Sequence, residues 1–151
     1  MQTRNEAGYT LIELWIAVFV LSVISMLSYV KLKPALEHGK VNGASSVLAA
    51  DLQYAQFLAA RQRKPVVLIV NTSAKSYLIR DRANSSLAFR TRYLGSDTEY
   101  TLDSFTSTAS SLEIFPTGVT RTTTTFTLGS NGYSKLVRFT KAGQIRVISV
   151  P

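Results

Sequence analysis

Few side chains in this sequence are placed to do chemistry, and the first is Glu13, set inside an otherwise apolar run. A carboxylate within an apolar helix costs roughly 2.5–3.5 kcal/mol on membrane-insertion scales, so it tends to have a partner. His38 is the single histidine, and it lies among lysines and glycines, the setting of a solvated side chain rather than of a ligand or catalyst. Asp97, Glu99 and Asp103 offer the oxygen ligands that calcium takes, but their spacing lacks the loop glycine and closing glutamate of an EF-hand. A solvated loop is the better reading. There is no cysteine, which excludes a disulfide framework, cysteine-based zinc sites, iron–sulfur clusters and a cysteine nucleophile. No phosphate loop, dinucleotide fingerprint or nucleophile elbow occurs. The chain therefore reads as a non-enzyme with no catalytic residue, no metal and no cofactor.

The basic residues carry more information. Lys plus Arg number 17 against 9 Asp plus Glu, a formal net charge of +8. Such a balance points to anionic surroundings: nucleic acid, acidic lipid or an acidic partner. Arg61, Arg63 and Lys64 close a helical segment, where cations complement the negative pole. Arg80 with Arg82, and Arg90 with Arg92, are spaced by two, which on a strand puts each pair on one face. Beyond Glu113 there are no acids, while Arg121, Lys135, Arg138, Lys141 and Arg146 remain. Arg138, Lys141 and Arg146 are candidate contacts to a phosphate backbone, against the plainer reading of a solvated basic face.

These groups need elements to hold them. Leu14–Val30 is uncharged, and a helix over residues 9–30 would be roughly 33 Å long, about one hydrocarbon core. A chain of this size could hardly bury a helix that is apolar all round, so a membrane span is the best reading. Pro34, Gly39 and Gly43 loosen the helix without stopping it. From Ala44 to Arg63 apolar residues recur at spacings of three and four (Val47 or Leu48, Leu52, Ala55, Leu58 or Ala59), a stripe made to pack on a sheet. Pro65 breaks the helix. Strands are predicted at Val66–Val70, Ser76–Arg80, Ala88–Leu94, Ser111–Phe115, Thr122–Leu128, Leu136–Thr140 and Ile145–Val150, with turns at Asn71–Lys75, Ser130–Gly132 and Ala142–Gly143. Residues 95–110 read as a variable loop.

The run Gly8-Tyr9-Thr10-Leu11-Ile12-Glu13-Leu14, followed by an apolar helix, resembles the prepilin signature of type IV pilins and type II secretion pseudopilins. The resemblance implies that a prepilin peptidase cuts between Gly8 and Tyr9 and that Tyr9 becomes N-methylated. It also implies a filament in which Glu13 of one subunit lies near the Tyr9 ammonium of a neighbour. In a water-poor surrounding that attraction would be far stronger than in bulk water, and it would fix register. Tyr replaces the commoner Phe, and the positions of a major pilin's helix-weakening Gly and Pro hold Ser22 and Val30.

In the C-terminal half, Ile114-Phe115-Pro116-Thr117-Gly118, Phe126-Thr127-Leu128-Gly129, Val137-Arg138-Phe139 and Gly143-Gln144-Ile145-Arg146-Val147 are similar to the GspH/FimT branch of minor pseudopilins. The expected fold is α+β and pilin-like. A long N-terminal helix, membrane-spanning in its first half, packs on a C-terminal antiparallel β-sandwich-like domain of about seven strands. The expected division is a leader peptide over 1–8, a filament-core helix over 9–30, an amphipathic continuation over 31–64 and a periplasmic β domain over 65–151. Expected partners are other pilins, prepilin peptidase and the inner membrane. The expected role is a minor subunit near the tip of a secretion pseudopilus or type IV pilus. The alternative is a DNA-binding minor pilin for DNA uptake, in which a C-terminal Gly-Arg-x-Arg is implicated; here that segment is Gly143-Gln144-Ile145-Arg146.

Overall fold

The computed structural model describes residues 10–150, with the side chains of residues 27–33 outside the described set. The chain divides into two compact units, Met1–Leu36 and Glu37–Pro151. The helix α1 runs Leu11–Gln62, 52 residues with Pro34 inside it. It ends where Arg63 turns left-handed (φ 53°) and Pro65 offers no amide to continue the ladder. In the first unit Leu11, Leu14, Trp15, Phe19 and Met26 are exposed. Among the described residues no helix is long and apolar enough to cross a membrane. The C-terminal end of the expected span falls partly among side chains outside that set, and the leader over 1–8 lies wholly outside the described residues.

In the second unit, eight strands follow the helix among the described residues: β1 Val66–Asn71, β2 Ser76–Asp81, β3 Ala88–Tyr93, β4 Ser104–Ser107, β5 Ser111–Ile114, β6 Thr124–Ser130, β7 Tyr133–Phe139 and β8 Ile145–Val150. They make two four-stranded sheets, ordered β3-β2-β1-β5 and β4-β6-β7-β8, antiparallel throughout. The expected α+β architecture is present. The count exceeds the expected seven because β4 lies inside the stretch read as a loop. Only Phe105 of its four residues is apolar and buried, so β4 is specified by pairing with β6 (Phe105 opposite Leu128) rather than by its own pattern. The β6–β7 hairpin turns on Asn131 and Gly132, both with positive φ (48° and 83°), the geometry that matches the twist of the strands.

Alternation along the strands sets the inner faces. Val66, Leu68 and Val70 of β1 are buried, with Tyr77 and Ile79 of β2 and Leu112 and Ile114 of β5 on the same side. The second sheet turns in Phe105, Phe126, Leu128, Val137 and Phe139. Between them lies one strip of α1: Val41, Ala44, Leu48, Leu52, Ala55 and Ala59 are fully buried. Each large apolar side chain in such a core contributes about 1.5–3 kcal/mol relative to exposure. A fragment beginning at Glu37 should therefore be soluble and melt cooperatively, whereas a fragment beginning at Val66, stripped of the helix, should expose the sheets' inner faces and aggregate. Light scattering and thermal melting of the two fragments check this, and equal solubility would refute it.

Candidate functional site

The N-terminal site residues divide at the edge of the described chain. Gly8 and Tyr9, the expected cleavage bond and methylation position, lie outside the described residues. Glu13 lies within them, in the first turn of α1. Thr10 caps that turn: its carbonyl accepts from the amides of Glu13 (3.1 Å) and Leu14 (3.2 Å), and its hydroxyl oxygen lies 3.4 Å from the Glu13 amide. Thr10-Leu11-Ile12-Glu13 is a Thr-x-x-Glu capping box in sequence, and an acid in the first turn complements the positive helix pole. Glu13 thus has a local role in starting the helix beside any role toward a neighbour.

A charged cluster that the sequence reading missed sits midway along the second half of α1. Asp51 has a 1% exposed side chain. It accepts hydrogen bonds from Tyr77 Oη (2.8 Å), Arg92 Nε (2.9 Å) and Arg90 Nη1. Arg90 also lies over the Tyr54 ring, 4.4 Å from its centroid. Burial pushes the Asp51 carboxyl upward, but hydrogen bonds from Arg92, Arg90 and Tyr77 outweigh it and hold the group below its ordinary value. Burial first, and then the Asp51 charge, raise the Tyr77 phenol. The bond to Asp51 raises Arg92. The expected sharing of one face by Arg90 and Arg92 is explained by the register, which sets Ile79 opposite Arg90 and Tyr77 opposite Arg92 on the inner side. Arg80 and Arg82 do not form a matching pair, because β2 ends at Asp81. Arg80 Nη1 donates to the Asp81 carbonyl (3.5 Å), while Arg82 ion-pairs with Glu113 (2.7 Å). The legible signal for Asp51 was an acid on the buried stripe between Leu48 and Ala55, together with two arginines spaced for one face.

Three further contacts tie α1 to the second sheet and its loops. The Gln56 side-chain amide donates to the carbonyls of Gly118 (3.0 Å) and Gly143 (2.8 Å). At Gly143 φ is 82°, and a Cβ there would sit 2.3 Å from the Gly118 carbonyl oxygen, so only glycine fits. Toward the start of the unit, Ser130 donates to Glu37 of α1 (2.7 Å), beside a bond within the sheet from the Asn131 amide to Asp103 (2.7 Å). His38 stacks on the Tyr133 ring at 3.9 Å between centroids. The sequence placed His38 in solvent; its ring is exposed but has this aromatic partner.

Of the candidate phosphate contacts, Arg138 and Arg146 stand directly opposite each other on β7 and β8, and both are exposed. Lys141 lies in the connecting turn, where its carbonyl accepts from the Thr120 amide (3.1 Å). Arg121 is drawn away to Glu113 (3.4 Å) and the Phe115 ring. The structure therefore brings together two of the three candidates on one strand pair and puts the third at its turn.

A family model described as type II transport protein GspH matches residues 44–143. The chain belongs to that family. No curated protein sequence matches it significantly. Two structures of the type IV minor pilin FimU of Pseudomonas aeruginosa PAO1 share its fold at a TM-score of 0.59. One is 21% identical, covering 72% of this chain and 92% of the other; the second is 22% identical, covering 76% and 91%. The minor pseudopilin EpsH from the type 2 secretion system of Vibrio cholerae shares the fold at a TM-score of 0.59 and 10% identity, covering 73% of this chain and 97% of that one. These likenesses establish the pilin-like fold.

In this GspH-family chain the matched region begins at Ala44 and contains the Asp51 cluster, the Gln56 junction and all but the last strand. The cluster makes stability depend on pH with a definite sign. The Asp51 pKa is lower folded than unfolded, so its contribution is complete above the unfolded value of about 4 and is lost as pH falls through the folded one. Asp51→Asn should cost about 2 kcal/mol at pH 7, the scale of hydrogen bonds to a charged group. The gap to wild type should narrow below about pH 4. Thermal melts of both proteins from neutral to acid pH measure it, and a gap independent of pH would contradict the assignment.

Proposed function

We propose that this GspH-family chain is a minor pilin-type subunit near the tip of a filament assembled from the inner membrane, a type II secretion pseudopilus or type IV pilus that supports protein secretion. The observation that carries the reading is the exposed apolar first part of α1. Leu11, Leu14, Trp15, Phe19 and Met26 are 63–76% exposed, whereas in the later part of the same helix the apolar strip Val41, Ala44, Leu48, Leu52, Ala55 and Ala59 is buried against the β domain, with Phe57 the exposed exception. Side chains of that kind are satisfied by lipid before assembly and by neighbouring helices after it. In this reading α1 anchors the chain as a single pass, and the β domain lies in the periplasm. Prepilin peptidase removes residues 1–8 by cutting after Gly8, Tyr9 is methylated, and Glu13 meets the Tyr9 ammonium of an adjacent subunit.

Glu13→Val tests this directly. The variant should insert at least as well as wild type, because a charge leaves an apolar helix, and it should still lose residues 1–8. It should fail to enter filaments, since breaking a buried ion pair costs roughly 3–5 kcal/mol. Intact-mass analysis of the membrane fraction and recovery in sheared filaments give the two readouts. A processed variant recovered at the wild-type level would reject the contact. Gly8→Val, by contrast, should remain uncut, and normal processing would reject the cleavage site.

A second reading, a DNA-binding minor pilin, draws on the exposed Arg138–Arg146 pair with Lys141 at its turn. It requires affinity for single-stranded DNA to fall with salt at a log–log slope of roughly −0.7 per phosphate contact. Arg138→Ala with Arg146→Ala should flatten that slope by about one and a half. Salt-independent binding, or none, removes this reading.

A further inference from the structure

The outermost strand of the second sheet is built unlike the other three sheet edges. β4 and β5 are four residues each. β3 pairs through a register shift at Ile79/Arg80, and its Arg90 and Arg92 are held by Asp51. Short strands, bulges, prolines and charges are how sheets blunt an edge. β8 is neither short nor bulged: it has six residues, pairing with β7 in unbroken register from Ile145 to Val150, with no proline inside and a single charge, Arg146.

Between Ile145, which packs against the core, and Val150, the strand is exposed on both faces. Val137 and Phe139 of β7 are fully buried, yet Val147, directly opposite Val137, is 44% exposed. On the other face Ile148 is 37% exposed beside Arg146. The core reaches β8 only at Ile145, and the strand from Arg146 to Ser149 lies beyond it. Its free hydrogen-bonding groups follow from the ladder. The Thr140 amide donates to the Gln144 carbonyl (2.9 Å), and Phe139 pairs with Ile145 next. Bonded and non-bonded pairs alternate in an antiparallel ladder. Arg146 and Ile148 therefore spend their backbone groups on β7, while those of Ile145, Val147 and Ser149 point outward.

Charge identifies the occupant. Arg138 and Arg146 are cross-strand neighbours, a like-charge pairing that is unfavourable; the Arg146 guanidinium donates to the neutral Gln144 side chain (3.3 Å), which leaves the charge itself unneutralised. Neither strand contains an acid, and none occurs after Glu113. A second copy of β8 would bring another set of cations to the same ribbon, so self-pairing is opposed. We propose that the β8 edge accepts an extended, acidic segment of a different protein as an added strand. Its backbone bonds Ile145, Val147 and Ser149; one row of apolar side chains lies beside Val147, and a carboxylate on the opposite face lies beside Arg146 and Arg138. Main-chain bonding supplies the affinity and the carboxylate the choice of partner. This site is independent of the Glu13 contact and of the filament's identity.

The test uses the full-length chain in detergent micelles and a capped peptide of alternating threonine and valine with one central glutamate in a threonine position. A lysine version and a version N-methylated on the bonding edge are the controls. Amide exchange should slow at Ile145, Val147 and Ser149 when the glutamate peptide is added. The lysine peptide should bind about tenfold more weakly, from one opposite-charge pair lost and one like-charge pair gained, and the N-methylated peptide should not bind. Arg146→Glu should invert the preference between glutamate and lysine. Equal affinity of the two charged peptides, or protection elsewhere than β8, overturns the proposal. So does protection of β8 by a thymidine oligonucleotide but not by the glutamate peptide, which would assign the strand to nucleic acid.

Discussion

The globular part of the molecule depends on one strip of helix surface. Val41, Ala44, Leu48, Leu52, Ala55 and Ala59 are buried without remainder, and both sheets close on them. Three are alanines, which leaves volume in the core for the large rings of Tyr77, Phe105, Phe126 and Phe139. Phe105 is where the sheets meet, 6.3 Å from Tyr77 and 6.5 Å from Phe126 between ring centroids. An apolar strip alone would let a helix rotate or slide. Polar contacts remove that freedom: Asp51 reaches the first sheet and Gln56 the loops of the second. The two act at positions five residues apart, on different sides of the helix, and so define its rotation as well as its height.

The two contacts differ in kind. Asp51 is a charge taken out of water, tolerable only because two guanidinium groups and a phenol meet it. Both arginines keep about a third of their side chains in solvent, which limits the desolvation they bear. Gln56 is neutral and satisfies two backbone carbonyls that would otherwise turn toward the helix without a donor. One contact gives specificity through geometry around an anion; the other prevents a penalty.

Much of this was legible from the sequence, and the exceptions have physical causes. The stripe on α1 and seven of the strands carry their own periodicity, since residues that face a core must be apolar at the period of the element. β4 carries almost none, because an edge strand of four residues needs only Phe105 to be apolar. The Thr10–Glu13 capping box shares its residues with the pilin-like signature, so one short segment carries two signals. Asp51 stands on an apolar stripe, and the Tyr77, Arg90 and Arg92 partners that make its burial tolerable come from strands far along the chain. The Gln56 junction joins residues 62 and 87 positions apart, a relation that no local pattern encodes. The basic C-terminal residues could be counted in advance, but not that Arg138 would face Arg146, which depends on register.

Gly143 carries a consequence for how the gene can change. Every single-base change that alters a glycine codon's meaning adds at least a Cβ or ends the chain. At this position a Cβ meets the Gly118 carbonyl oxygen at 2.3 Å and the Gln56 amide at 2.9 Å. The exposed threonines Thr122 and Thr123 ahead of β6 can drift through many neighbouring codons with little effect on the fold. Position 143 has no neutral neighbour in codon space, and a replacement there becomes tolerable only after the loop around Gly118 has moved. The order of substitutions is thereby constrained: loop first, glycine second.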